Sequence, residues 1–324
     1  MPSLLDIPRE LRDQICIYAL LSPIAPPNID SSFEELTEPR RIYGNPRLRA
    51  WSKVVLYDPA NSTITPPSLL FVNKQMRHET LSNLELINRL PNCSMDLVIA
   101  DEVVLLPTWT QIPYRHAPKF DTVDVTFRIS GVHDKGKEYP FGFYKGWKGG
   151  DGGGPAMGWQ LYAVLERFIR GGTNAEMRTP EAHLHVTAKT IRVDVQTPPG
   201  IDPKRFSPWP ISALYRRKWR VEGADMLDPA FLARYVEGHI RGLLSANDYE
   251  WFNYGQILYE HLDEVIVCHD GVEIGRMDVV GCLKEREVES KYFSQQQMEE
   301  YKNKAWRLRK LRGLNVLDNT SAVK

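Results

Sequence analysis

Phe120-Asp121-Thr122-Val123-Asp124-Val125-Thr126-Phe127-Arg128-Ile129 puts Val123, Val125, Phe127 and Ile129 on one side of the chain and Asp124, Thr126 and Arg128 on the other. A period of two is the mark of a strand with one buried face and one polar face. After a glycine-rich stretch, residues 157–169 carry Leu161, Val164, Leu165 and Phe168 at helical spacing, and Gly171-Gly172 closes the helix. Residues 190–195 alternate again, with Ile191, Val193 and Val195 aligned. Strand, helix and strand in this order predict a parallel pair joined by a right-handed crossover.

The same grammar continues on either side. Downstream, residues 198–210 read as loop, 229–244 and 249–261 as helices, and 264–268 as a short strand. Upstream, 95–100 and 102–106 are extended pieces separated by Asp101, and 107–118 reads as loop because Pro107 and Pro118 punctuate it around Trp109 and Tyr114. The expected fold class is α/β, with a mixed α+β arrangement left open: a mixed, partly parallel sheet with crossover helices forms a body over 91–283. The pattern does not order the strands. Residues 284–324 form a charged helix and tail, in which Lys302, Lys304, Arg307, Arg309, Lys310 and Arg312 surround Trp306. Such a cluster complements a helix C-terminus, and a solvated helix end is expected, with a nuclear-import or phosphate-contacting patch as the other reading.

The N-terminal region, 1–90, follows helical rather than strand spacing. In Leu4-Leu5-Asp6-Ile7-Pro8-Arg9-Glu10-Leu11, Pro8 suits the first turn because it has no N–H to lose, and Glu10 complements the positive helix end. Ile7, Leu11, Ile15 and Ala19 then form one apolar stripe, a face to be buried either against a partner or against the chain's own body. A second helix is expected over 67–90, where Leu69, Val72, Met76, Thr80, Leu84 and Ile87 share a face and Pro91-Asn92 stops it. Between them lies a Pro-rich insertion, 22–66. Loop entropy grows slowly with length, so the helices can still meet.

Ile7-Pro8-Arg9-Glu10-Leu11 with Ile15, answered by Leu69-Leu70-Phe71-Val72 and then Asn73, Gln75, Arg77 and Glu79, resembles the divergent F-box-like N-terminus of many fungal proteins. Ile7 stands where the family usually has Leu, the later helix lacks a Cys-x-x-Trp, and the insertion separates segments that are ordinarily close. The resemblance implies docking on the Skp-type adaptor subunit of a cullin-RING ubiquitin ligase, through Ile7, Pro8, Leu11, Ile15, Leu69 and Val72. It also implies a protein substrate, of unknown identity, held by the body. The residues alone leave a second reading open, a scaffold protein in which these helices are only the chain's own core.

Composition narrows the classes. The 324 residues are 42% hydrophobic and 25% charged, enough for a large core, and 41 basic side chains balance 41 acidic ones. That balance gives no global attraction to nucleic acid or to an anionic membrane. No apolar run approaches the ~20 residues needed to span a bilayer, and 1–20 lacks the pattern of a signal peptide. Cys16, Cys93, Cys268 and Cys282 are scattered, so neither a disulfide framework nor a zinc site is indicated, and cytosol or nucleus is the expected location.

Enzyme-like motifs are few. Gly131-Val132-His133-Asp134-Lys135-Gly136-Lys137-Glu138 approaches a phosphate-binding loop, but Glu138 replaces the magnesium-binding hydroxyl and Pro140 bars the following helix. The glycine-rich 146–154 lacks an ordered phosphate-loop spacing. His183 and His185 share a strand face without a third metal ligand, and Cys268-His269-Asp270 are adjacent, whereas catalytic groups converge from separate segments. No catalytic residue, cofactor or metal is therefore assigned, and a non-enzymatic role is expected. Trp209, Tyr215 and Trp219, with Arg216, Arg217, Lys218 and Arg220 beside the last two, form a candidate recognition surface, because Trp, Tyr and Arg enrich binding hot spots. The plainer reading is loop aromatics plugging the ends of the core.

Overall fold

A computed structural model describes residues 4–38, 40–42, 55–58, 68–87, 92–112, 118–134, 136–137, 139, 147, 155–173, 185–211, 222–245, 249–285 and 293–316. In chain order the elements are α1 (Arg9–Leu20), α2 (Phe33–Thr37), β1 (Arg41–Ile42), β2 (Leu56–Tyr57), α3 (Lys74–Ile87), β3 (Cys93–Ala100), β4 (Val104–Gln111) and β5 (Lys119–Ser130). There follow α4 (Ala156–Gly171), β6 (Thr187–Val195), β7 (Phe206–Ser207), β8 (Met226–Leu227), α5 (Pro229–Ser245), α6 (Tyr249–His261), β9 (Leu262–His269), β10 (Val272–Asp278), α7 (Val279–Glu285) and α8 (Gln295–Arg312).

The main sheet has six strands in the order β10-β9-β6-β5-β3-β4. Its four central strands are parallel, with Cys93 beside Val123, Val123 beside Ile191, and Ile191 beside Val265. The outer two are antiparallel returns. The expected mixed α/β fold with a mostly parallel sheet is thus present, and the parallel pairing of β5 with β6 is as the spacing predicts.

Alternation in β5 sets the layers. Val125 and Phe127 face a helical layer in which Leu161 and Phe168 of α4, Val236 and Leu243 of α5, and Leu258 of α6 approach the same side of the sheet. Gly172, at φ +66°, ends α4 as the Gly171-Gly172 pair predicts. On the opposite side, Phe33 and Leu36 of α2 cover Val98, Ala100 and Leu106 in a smaller apolar cluster. Next to it, Arg128 forks onto Asp96 at 2.6 and 2.7 Å and donates to the Pro27 carbonyl at 2.8 Å. The Ser130 hydroxyl donates to the Ile29 carbonyl at 2.6 Å, so the chain leading into α2 is stitched along this face.

Three expectations need correction. Residues 107–111 are strand, not loop: Pro107 pairs with Leu97 in β4, and Trp109 is buried against Phe168, with ring centroids 5.4 Å apart. Pro107 is tolerated because β4 is the last strand of this sheet and needs no ladder N–H on its outer side. The outward carbonyl of Pro107 accepts from Arg40 at 3.1 Å. The short strand at 264–268 extends into a hairpin with β10 around Asp270 (φ +50°) and Gly271 (φ +79°), a turn that needs left-handed backbone at both positions.

The third correction concerns the charged tail, whose helix is docked rather than solvated. Met298, Tyr301, Ala305 and Arg309 of α8 are buried. Arg309 donates to the carbonyls of Tyr259 (2.8 Å) and Leu262 (2.7 Å) where α6 meets β9, to the Asn315 carbonyl (2.8 Å), and to the Asp263 carboxylate. Arg312 donates to the Glu260 carbonyl at 2.9 Å, and Lys304 lies 3.6 Å from the Glu260 carboxylate. Much of the basic cluster is therefore consumed by the C-terminal end of α6.

Two measurements check this packing. Arg309→Met takes the guanidinium from Asp263, which then keeps the Asn315 N–H, and from the carbonyls of Tyr259, Leu262 and Asn315; removal of one partner from a buried pair costs about 3–5 kcal/mol, so the urea midpoint should fall accordingly, with the slope unchanged. Burial holds His239 down at about 4, and burial, with Arg312 nearby, holds His261 down at about 3. Both imidazoles stay neutral in the folded chain while the unfolded chain takes up protons below about pH 6.5. Stability is therefore retained above that pH and falls as pH drops toward 4, with a slope approaching two protons; His261→Asn should remove one of them in a pH series of thermal melts.

Candidate functional site

The helix pair α1–α3 is built around a buried charge rather than an apolar seam. Pro8 is the residue before the first helical turn, and its carbonyl accepts from the N–H of Leu11 and of Arg12, each at 3.1 Å. Arg12, one residue past the predicted stripe, points at α3 and forks onto Glu79 at 3.0 and 2.7 Å. Its remaining nitrogen donates to the carbonyls of Leu5 (3.1 Å) and Ile7 (2.5 Å), which fixes the chain entering the helix. Gln75 donates to Glu79 at 3.1 Å and Asn83 to Asp13 at 3.1 Å. Hydrogen bonds from Arg12 hold the Glu79 carboxyl down at about 2. One turn on, burial pushes the Cys16 thiol up.

With Arg12 and Cys16 turned inward, the neighbouring stripe turns outward. Leu11 is 49% exposed, Ile15 46% and Tyr18 77%, at i, i+4 and i+7 on a single helix face. Of the Ile7, Leu11, Ile15 and Ala19 stripe, whose direction the sequence leaves open, Ile7 is half-buried and the other three are exposed. The second helix is also shorter than expected. Asn73 caps α3 by accepting from the Met76 N–H at 2.8 Å, and Ser68–Phe71 is a separate 3-10 turn. Leu69 is half-buried there, Leu70 is buried, and Phe71 (74%) and Val72 (62%) are exposed. Val72 therefore leaves the face shared by Met76, Thr80 and Leu84, which are buried.

The other predicted sites come apart. Trp209 is exposed, with its ring 5.8 Å from Phe231, while Tyr215 and Trp219 lie outside the described residues, as do the surrounding Arg216, Arg217, Lys218 and Arg220. Trp147 is buried, its ring 4.7 Å from Tyr235, which places it with the core rather than on a surface. In the loop after β5, Lys137 is held by Glu34 at 2.9 Å and Asp101 at 3.5 Å, and Asp134 accepts from the Gly136 N–H at 2.7 Å. Carboxylates occupy the lysine that a phosphate would require.

Cys268 and His269 project to opposite faces of β9, as adjacent strand residues must. Asp270 accepts from the N–H and the hydroxyl of Thr197, both at 2.7 Å, so it ties the end of β6 to the hairpin turn. His269 Nε2 lies 3.3 Å from the same hydroxyl. The Asp270 carboxylate also lies 3.5 Å from His269 Nε2, but Cys268 is on the other face of the strand, so the three side chains do not converge on one site. His185 is exposed and His183 is outside the described residues; among those described, no three metal-capable side chains come together. No described helix is long and apolar enough to cross a membrane.

In the sequence, Arg12 and Tyr18 carry no assigned role, and Glu79 and Phe71 appear only as members of the F-box-like pattern. Tyr18 was within reach of the pattern, being three residues beyond Ile15. Arg12 and Glu79 are 67 positions apart, and no local signal connects them. No family model, curated protein or solved structure matches this chain.

Glu79→Ala should loosen the pair by stranding the Arg12 guanidinium. The expected result is amide exchange in Arg9–Leu20 about tenfold faster or more, with protection in β5 and β6 unchanged, measured by hydrogen-exchange mass spectrometry.

Proposed function

We propose that this chain is a non-enzymatic F-box-like adaptor. Its α1–α3 pair docks on the Skp-type subunit of a cullin-RING ubiquitin ligase, and the α/β body presents a protein substrate. The observation that carries the reading is the outward stripe of Leu11, Ile15 and Tyr18; Phe71 and Val72, in and just after the turn that precedes α3, are exposed as well. These apolar side chains contribute little to the chain's own packing, whereas the inward face is already satisfied by Arg12, Cys16, Glu79 and Asn83. Apolar exposure repeated along one helix face marks an interaction surface. A helix pair serving only as the chain's own core would place the stripe inward.

The resemblance supplies the partner class, since Ile7-Pro8-Arg9-Glu10-Leu11, Ile15 and the Leu69 to Val72 turn are the positions that carry it. Of these, Leu11, Ile15 and Val72 offer apolar surface to a partner, while Pro8 and the half-buried Ile7 and Leu69 shape the turns around it.

The test is co-purification with the Skp-type subunit. Leu11→Asp and Ile15→Asp sit at exposed positions, so each variant should keep the wild-type circular dichroism spectrum and melting temperature. Each should lose association, because a carboxylate on a desolvated docking face is strongly unfavourable. Wild-type protein that is folded and never associates with that subunit would overturn the adaptor reading. Unfolding by either substitution would instead favour a helix pair that is only core.

A further inference from the structure

Between the end of α1 and the start of α2 the chain passes through Ser22-Pro23-Ile24-Ala25-Pro26-Pro27, which belongs to no helix or strand. The run is bounded on both sides. The Leu21 N–H donates to the Ile17 carbonyl at 2.9 Å where α1 ends, and Asn28 opens a turn, its side chain accepting from the Asp30 N–H at 3.1 Å. Covalent geometry settles most of what lies between. Proline presets φ near about −65° at 23, 26 and 27, and a residue followed by proline is pushed to extended ψ, which restrains Ser22, Ala25 and Pro26. All X–Pro bonds here are trans. Each of these restraints selects polyproline II, a helix of about three residues per turn. Ile24 alone escapes both, and its N–H is tied to the Thr110 carbonyl of β4 at 2.6 Å.

The second tie lies one polyproline turn further on, where the Pro27 carbonyl accepts from Arg128 at 2.8 Å. Held at Ile24 and Pro27, the segment rests on the body in register with its own threefold repeat. Pro27 is half-buried and Ile24 is 50% exposed. The other two edges of the helix carry Ser22 with Ala25 and Pro23 with Pro26, and all four residues are exposed. Pro23-Ile24-Ala25-Pro26 has the Pro-x-x-Pro spacing that aromatic-lined grooves accept, because it sets two proline rings in line one turn apart. A chain already restrained by its prolines and pinned at two points has little conformational freedom left to lose on binding.

We propose that residues 22–27 are a docking segment for a proline-reading domain of the SH3 type on a partner protein. Charge narrows the partner. No Lys or Arg lies within residues 14–39, and the exposed Asp30 follows the run closely, so a groove with a basic rim complements it and one with an acidic rim does not. The proposal does not rest on the adaptor reading, since it uses neither the α1 stripe nor a ligase subunit.

The probes are two forms of one purified, ¹⁵N-labelled SH3 domain, one with its acidic groove rim intact and one with those acids replaced by lysine, each titrated with the full-length protein. The lysine-rimmed form should show saturable shifts of its groove Trp and Tyr resonances and bind more tightly than the acidic one. Pro23→Ala and Pro26→Ala, both at exposed positions, should keep the wild-type circular dichroism spectrum and weaken binding about tenfold each, the size of a central contact in an interface. No groove shift in either form, or shifts that both substitutions leave unchanged, would overturn the proposal. A synthetic peptide of residues 20–30 should bind more weakly than the intact chain; a peptide that binds where the intact chain does not would show that the body hides the segment, and would overturn it too.

Discussion

The four parallel strands are laid down in the order in which they occur in the chain, each beside the last and always on the same side. That single constraint governs the rest of the molecule. Crossovers between parallel strands share one hand, and repeated steps in one direction therefore send every crossover helix to the same face. Hence α4, α5 and α6 form one layer, and among the described residues the opposite face receives no crossover helix. Parallel sheets are usually covered on both sides. Here the second face is covered by α2 and its leading segment near β3 and β4, while β5, β6 and β9 fill it with Asp124, Arg192, Asp194 and Glu264. The polar alternation of β5 is the local imprint of that topology. A sheet wound in one direction also lacks the reversal of strand order at which doubly wound folds form their ligand crevice. The absence of a recognisable phosphate or dinucleotide motif is in keeping with that geometry.

A different economy holds the N-terminal helices. Their mutual face is carried by an Arg12–Glu79 fork that also gathers the chain entering α1, with Cys16, Met76 and Thr80 around it. A charged seam of this kind is demanding in geometry, because each donor must find its acceptor, and it fixes the rotation of α1 about its own axis. That rotation is what presents Leu11, Ile15 and Tyr18 outward. The clasp and the docking face are two consequences of one choice of helix phase.

The body was largely legible in the sequence, because strict alternation in β5 and β6 and the helical stripes of α4, α5 and α6 each match the element they predict. What escaped notice had specific causes. Pro107 signalled a break, yet beyond β4 there is only an isolated bridge from Leu105 to Val55, and at Pro107 no ladder N–H is required. Asp270-Gly271 was a usable hairpin signal, obscured by reading Cys268-His269-Asp270 for chemistry. The charge of α8 signalled exposure, although Arg309 is buried because it ends on the carbonyls of a helix terminus and a carboxylate. At the candidate site, spacing identified the stripe on α1 without assigning it a direction. Periodicity reports which side chains share a face, and only the partner helix, through Glu79, decides which face turns inward.

Winding in a single direction bears on how the chain leaves the ribosome. Each parallel strand after β3 docks on one already synthesised, so the sheet is able to grow in the order of translation with no strand waiting for a later neighbour. At every stage the growing side is an open edge, which invites pairing with other nascent chains. Closure arrives with β10, whose bulge near Gly275 and whose Arg276 bridges to Glu264 and Glu273 blunt the last edge. The seal on α6 comes later still, 46 residues beyond Asp263, when Arg309 emerges. A transcript interrupted between these two points yields a sheet with all its strands and an unsealed helix end, a natural substrate for chaperones rather than a finished protein.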